Sequence, residues 1–401
     1  MTRLRRFLLA IACLAFLLSG VLGGEDAKKT TPQEVERLVK QLGSDDFERR
    51  EAASKALEAV GEPAREALQK AASGSDAEVQ RRAERVIDAL DARRYQLSRT
   101  FEGHTSSVLD VAFSPDGKRL ASASADDTVQ MWNAPGLKLL SFKEKPRLGR
   151  CVAFDPNGKR LASAGFSDKV QVWDGDTGRD VFSLKTTKDG IFSVAFSLDG
   201  KRLVSVSLTG TVKVWDMGTG EELLSFITES PNMCRVAVSP SGKSVAGSGK
   251  DGIVKAWETG TGREIFALKG HKDRVFGVAF NTDGNRIASA SEDGVVKVWE
   301  VPKAREVLSM NGHQGSVFCV SFNPNGKQLA SAGEDGTVKM WDADNGRELF
   351  TIKGHAARVR CVTFSPDGNY LASASDDRTV RVWKLFAEPA NPKGVGGTKE
   401  K

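Results

Sequence analysis

The sequence predicts a mainly β fold of seven repeated antiparallel units behind a small α-helical segment. Three observations carry that reading. All seven tryptophans, Trp132, Trp173, Trp215, Trp257, Trp299, Trp341 and Trp383, are spaced by 41 residues once and then by 42 five times. Each lies in an apolar/polar alternation of strand period, such as Val296-Lys-Val298-Trp299. Glycine is plentiful, at 40 of 401 residues, which suits a chain of many tight turns.

Each unit resolves into elements in the same order. About 19 residues before each tryptophan stands another strand, for example Val108-Leu-Asp-Val111-Ala-Phe113. A turn follows, as at Pro115-Asp-Gly117, Pro240-Ser-Gly242 and Pro366-Asp-Gly368. Proline presets the first turn dihedral and glycine accepts a positive φ. After the tryptophan comes an outer strand such as Arg347-Glu-Leu349-Phe-Thr-Ile352, making four strands per unit.

Gly-His pairs at Gly103-His104, Gly270-His271, Gly312-His313 and Gly354-His355 place each histidine 28 residues before a tryptophan. Trp-Asp pairs stand at Trp173-Asp174, Trp215-Asp216 and Trp341-Asp342. Over residues 95–385 this pattern resembles the WD-repeat family, which implies a seven-bladed β-propeller of four-stranded antiparallel blades. The resemblance implies a structural tetrad in four blades: His104, Ser122, Asp126 and Trp132; His271, Ser289, Asp293 and Trp299; His313, Ser331, Asp335 and Trp341; His355, Ser373, Asp377 and Trp383. Blades 2 to 4 depart from it. Blade 2 has Lys145 and Ser167 at the His and Asp positions, blade 3 has Thr187 and Thr209, and blade 4 has Glu229 for His and Gly247 for Ser but keeps Asp251. Blade 7 lacks an outer strand after Trp383, and residues 95–101 are expected to supply it and close the ring.

Residues 25–94 carry helical period and punctuation. Thr31-Pro-Gln-Glu34 and Ser75-Asp-Ala-Glu78 read as capping boxes, with Ser75 as the second cap. Val35, Leu38, Val39 and Leu42 share one face of the first helix. Phe47, Ala53, Ala56, Leu57 and Val60 share one of the second. Arg49-Arg50-Glu-Ala-Ala53 and Arg81-Arg82-Ala83 recur at matching places, so the segment looks like two HEAT-type repeats, with the arginines expected to solvate a face.

The start of the chain has the order of an export signal over residues 1–24. Arg3, Arg5 and Arg6 precede the apolar run Phe7 to Leu18, and small residues follow. A periplasmic or envelope location is therefore expected, with no stable membrane span once the signal is removed; the alternative is anchoring by an uncleaved N-terminal segment. Residues 386–401 read as a disordered tail. The net charge of +6 includes those three arginines, and no dense basic face suggests nucleic acid. Cys151, Cys234, Cys319 and Cys361 form no CxxC pair and are expected to be buried reduced thiols. Equivalent positions on adjacent blades should lie beyond the ~7 Å Cα limit for a disulfide.

The repeat uses all four histidines, and no phosphate-binding or EF-hand motif is present, so neither a catalytic site nor a cofactor or metal site is expected. Function is sought at the channel mouth instead. The innermost strand reads Val-x-x-Val-x-Phe, one residue out of strict alternation, and a β-bulge restores the phase. The inserted residues are Leu109, Arg150, Phe192, Cys234, Phe276, Phe318 and Arg360. The resemblance implies that this face holds protein or peptide. Beside it, Phe166 and Leu208 offer apolar contact in blades 2 and 3, while Glu292, Glu334 and Asp376 are acidic in blades 5 to 7. A partner segment with a basic end and an apolar end is expected. The alternative is a metal-assisted enzyme or small-ligand binder using acidic rim residues such as Asp127, Asp168 and Asp376.

Overall fold

The computed structural model describes residues 30–133, 138–142, 149–230 and 233–386. The export-signal residues, Lys145 and residues 387–401 of the expected tail lie outside the described residues. The chain divides into two compact units, Met1–Leu90 and Asp91–Lys401.

The first unit holds four helices: α1 (Pro32–Gln41), α2 (Phe47–Val60), α3 (Arg65–Ala72) and α4 (Ala77–Asp91). The Thr31 hydroxyl accepts the Glu34 N–H at 3.3 Å and Pro32 opens α1. At α4 the cap is Asp76, not Ser75. Its carboxylate accepts the N–H groups of Glu78 at 3.0 Å and Val79 at 3.1 Å, and a charged acceptor also complements the positive helix end. Val35, Leu38, Leu42, Leu57, Leu68, Val86 and Leu90 make the core. Phe47 is not part of it. As the first residue of α2 it is 62% exposed, with the Arg50 guanidinium 5.8 Å from its ring centroid. The arginines also differ from expectation: Arg81 is exposed, but Arg82 is buried and ties α4 to α2 through Glu51 at 2.7 Å.

The second unit is a ring of seven four-stranded antiparallel sheets. The second strand of each blade, Arg119–Ser124 in blade 1, is buried nearly end to end and reads Leu-Ala-Ser-Ala-Ser. Both its faces are covered by neighbouring blades, and small side chains let the wedges meet near the axis. Outer strands such as Glu222–Ile227 face outward and are largely exposed. The recurring turn glycines, Gly117 to Gly368, hold φ between 69° and 75°, a conformation that other residues adopt only under strain.

Ring closure joins the first and last strands of the propeller. The strand Tyr95–Phe101 pairs antiparallel with Val380–Leu385, from Tyr95 opposite Leu385 to Phe101 opposite Val380. It supplies the outer strand of blade 7, and Tyr95 packs edge-on against Trp383 at 5.8 Å. The ladder shifts register by one residue in the inner strands of blades 1, 3, 5, 6 and 7, at Leu109, Phe192, Phe276, Phe318 and Arg360.

Candidate functional site

The frame that positions the mouth is a set of buried polar relays. In blade 6, Trp341 Nε1 donates to Ser331 Oγ at 2.8 Å, Ser331 lies 2.7 Å from His313 Nε2, and His313 Nδ1 lies 2.9 Å from Asp335. An indole N–H can only donate, so the serine spends a lone pair on it and gives its proton to Nε2. The histidine then carries its proton on Nδ1 and donates to the carboxylate. Blades 1, 5 and 7 repeat the chain at His104, His271 and His355, with all distances between 2.7 and 3.0 Å. Each aspartate also accepts the N–H that follows its histidine, as Asp335 does from Gln314 at 3.0 Å. The relay therefore pins the loop entering the inner strand.

Blades 2 to 4 solve the same problem differently. In blade 3, Trp215 still donates to Ser205 at 3.0 Å, but the carboxylate has changed sides. Asp189, on the loop before the inner strand, accepts from the hydroxyl and N–H of Thr209, which stands at the usual Asp position. Burial opposes ionisation of Asp189, yet hydroxyl hydrogen bonds, that of Thr209 among them, pull it down to about 2. In blade 4, Ser230 donates to Asp251 at 2.8 Å, and the buried Met233 fills the space left by Gly247. A Cβ at Gly247 would lie 2.1 Å from the Met233 methyl. In blade 2, the buried Ser163 Oγ has no hydrogen-bond partner among the described residues. Asp189, Ser230 and Met233 are not legible in the sequence because none occupies a tetrad position.

Below the mouth the channel narrows to the residue after each bulge. Asp110 accepts the Val152 N–H of the next blade at 3.0 Å, and Ser193 accepts that of Val236 at 3.2 Å. Arg235 of blade 4 reaches across the ring to Asp110 of blade 1 at 3.1 Å. A Cβ at Gly277 would lie 3.1 Å from the Cys319 Cα, so adjacent inner strands approach closely here. Cys319 and Cys361 bring their sulfurs to 3.5 Å; both, like Cys151, are buried thiols, while the Cys234 thiol is only half-buried, against the expectation that all four are buried. Beyond this ring lies a cavity of about 670 Å³ lined by Phe113, Pro115, Leu198, Arg235 and Cys319 among others.

At the other mouth two clusters form. In the first, the Arg150 guanidinium lies 3.8 Å from the Phe192 ring centroid and 5.8 Å from that of Phe166, and the two rings meet edge-on at 5.7 Å. Phe166 is 52% exposed. Burial pushes the Arg150 guanidinium below its ordinary range, and repulsion from Arg360 adds to the effect. Its Nε is buried with no hydrogen-bond partner among the described residues. In the second cluster, Phe276 packs on Phe318 at 5.3 Å, with Arg360 4.6 Å over Phe318 and Arg274 5.7 Å over Phe276. Leu109 and Leu208 are half-buried at their own strand ends.

The acidic arc does not stand open as expected. Asp376 is held bidentately by Arg360 at 2.9 and 2.7 Å, and Glu334 pairs with Arg358 at 2.7 Å, while Glu292 is exposed. Basic residues one strand away had consumed the charge. Of the carboxylates named for the metal alternative, Asp376 is committed to Arg360. Among the described residues no three His, Cys, Asp or Glu side chains group so as to hold a metal ion.

A closed propeller with polar relays inside and arginine–aromatic stacks at one mouth belongs to the class of β-propeller repeat proteins. Residues 95–133, 149–174, 178–216, 262–300, 304–342 and 346–384 match the WD40 family model (WD domain, G-beta repeat), just over half of the chain, and the chain belongs to that family. The tryptophan repeat left unmatched is that of blade 4, whose relay Met233 and Gly247 have replaced. The chain is also similar to the vegetative incompatibility protein HET-E-1 of Podospora anserina, 48% identical over 48 residues, 12% of this chain and 4% of that protein. It is 58% identical over 36 residues to the Notchless protein homolog of Arabidopsis thaliana, 9% of this chain and 8% of that one. It is 44% identical over 43 residues to Protein HIRA of Zea mays, 11% and 4% of the two chains. Each match thus spans less than a tenth of the relative's length.

Proposed function

We propose that this chain is a non-catalytic interaction scaffold that holds a protein or peptide segment across the mouth bearing Arg150, Phe166, Phe192, Phe276, Phe318 and Arg360. One observation carries the reading: Arg150 is a half-buried cation stacked on two phenylalanines, with a buried Nε that no described residue satisfies. Exposed aromatic rings and arginines are the residues that anchor interfaces. Among the described residues no carboxylate pairs with Arg150, and a cation held largely out of water gains from one that meets it. Because arginines already neutralise Asp376 and Glu334, the partner segment is acidic and apolar, not basic and apolar. Anisotropy with labelled peptides pairing Asp or Glu with Phe or Leu tests this. Arg150→Met should weaken binding by about tenfold or more, while Leu198→Ala at the opposite mouth leaves it unchanged. A preference for basic peptides would overturn the reading.

The helical segment is proposed to be HEAT-like, on the recurrence of Arg49-Arg50 and Arg81-Arg82. The mature protein is proposed to be periplasmic or envelope-associated, on the charge order of residues 1–24. Among the described residues no helix is long and apolar enough to cross a membrane. N-terminal sequencing of protein from cell fractions tests the location; an unprocessed chain in the cytosolic fraction would count against it.

A further inference from the structure

We propose that Cys319 and Cys361 are a peroxide-oxidisable pair that forms a disulfide between blades 6 and 7. The two residues hold the same place on consecutive inner strands, one position past the bulge. Their sulfurs are 3.5 Å apart. At this level neighbouring inner strands nearly touch, as the 3.1 Å approach at Gly277 shows for blades 5 and 6. Closing the bond asks the two sulfurs to approach from 3.5 Å by rotation of their side chains.

Three features separate this pair from ordinary buried cysteines. The Arg235 guanidinium lies 3.8 Å from the Cys361 sulfur and offers a thiolate a counter-charge, which it shares with the Asp110 carboxylate it already pairs. The contact between the two sulfurs, with Arg235, lowers Cys319 below the ordinary thiol range, while the same contact and burial push Cys361 above it. Cys319 also lines the channel cavity, so a small oxidant can reach it although the residue is only 1% exposed. Cys151 is a control within the same ring. It is buried, donates to the Ala164 carbonyl, and burial pushes it up to about 12.

The oxidant is a hydroperoxide, and hydrogen peroxide is its simplest member. The Cys319 thiolate attacks one peroxide oxygen, the O–O bond breaks, and the departing hydroxide takes a proton to become water. Cys319 is then a sulfenic acid. The Cys361 sulfur attacks the Cys319 sulfur, the S–O bond breaks, and the second hydroxide leaves as water with the Cys361 proton. Two sulfurs each lose one electron, and the peroxide gains two. The bond would sit directly beneath Phe318 and Arg360, which precede the two cysteines and stack at the mouth.

The test uses the full chain, reduced, freed of reductant and treated while folded with hydrogen peroxide. Peptide mapping should find Cys319 and Cys361 joined in one species two hydrogens lighter than the separate peptides, with Cys151 still a thiol. Thermal melting should shift upward by several degrees, reversibly with dithiothreitol. In Cys361→Ser, dimedone should label Cys319; in Cys319→Ser, it should leave Cys361 unlabelled. If either serine variant misfolds by circular dichroism, the alanine variant takes its place, and the native mapping stands alone as a test. A folded protein that keeps both thiols under peroxide, or joins either to Cys151 instead, would overturn the proposal. No partner enters these readouts, so their outcome is independent of what binds the mouth.

Discussion

Single residues decide how each blade meets the polar demand of its tryptophan. Ser331 Oγ serves two partners, the Trp341 indole and the His313 imidazole, in a site closed to water. Its equivalent in blade 2, Ser163, is buried without a partner among the described residues. Removing a hydroxyl that leaves partners unsatisfied costs about 1–3 kcal/mol, whereas removing an unsatisfied one costs little or helps. Urea unfolding should therefore show Ser331→Ala destabilised by that amount and Ser163→Ala unchanged or more stable. Equal losses in both variants would mean that the two serines are equally engaged. Gly247 belongs to the same account: the family's serine cannot return there without displacing Met233.

Among elements, the strand Tyr95–Phe101 has the largest effect for its length. Without it, Val380–Leu385 would become an exposed edge, and the Tyr95 contact with Trp383 would vanish. Deleting residues through 101 should lower the melting temperature and broaden the transition relative to the full chain. An unchanged transition would show that closure does not depend on this strand. This element was legible in the sequence because a periodic chain reveals what its last unit lacks. The tetrads were legible for a related reason: tryptophan, histidine and Pro-x-Gly turns recur at fixed spacing. The contacts between blades were not. Asp110 meets Arg235 from 125 residues away, and the Cys319–Cys361 approach depends on how tightly the ring narrows, which no strand period encodes. The pairing of Arg360 with Asp376 is not legible for the same reason: it joins residues 16 positions apart that meet only once the hairpin is folded.

The whole molecule inherits a pH dependence from its relays. Burial works against ionisation of Asp335 and Asp377, but hydrogen bonds from His313 and His355 win, and both carboxyls lie well below the usual carboxylate range. A depressed carboxyl binds its proton later in the folded state than in the unfolded chain. Its stabilisation is complete above about pH 5 and is lost as pH falls through ~4 toward the folded values. His271, lowered by burial, works in the same direction from higher up. Below about pH 6.5 the unfolded imidazole takes a proton that the buried one refuses. The urea midpoint should hold steady from pH 7 to 8, decline gently below about 6.5 and drop steeply below about 4. A midpoint that rises on acidification would contradict the relay as drawn.

Closure by the propeller's first strand also sets an order in time. Phe101 leaves the ribosome roughly 280 residues before its partner Val380, a wait of tens of seconds at ~5–20 residues per second. Until then the nascent ring is an open horseshoe with an adhesive strand at each tip. Two such chains growing side by side could clasp each other's tips and not their own. The first blade made and the last must find each other before a neighbour does, so dilution during synthesis matters more for this protein than for one whose repeats simply stack.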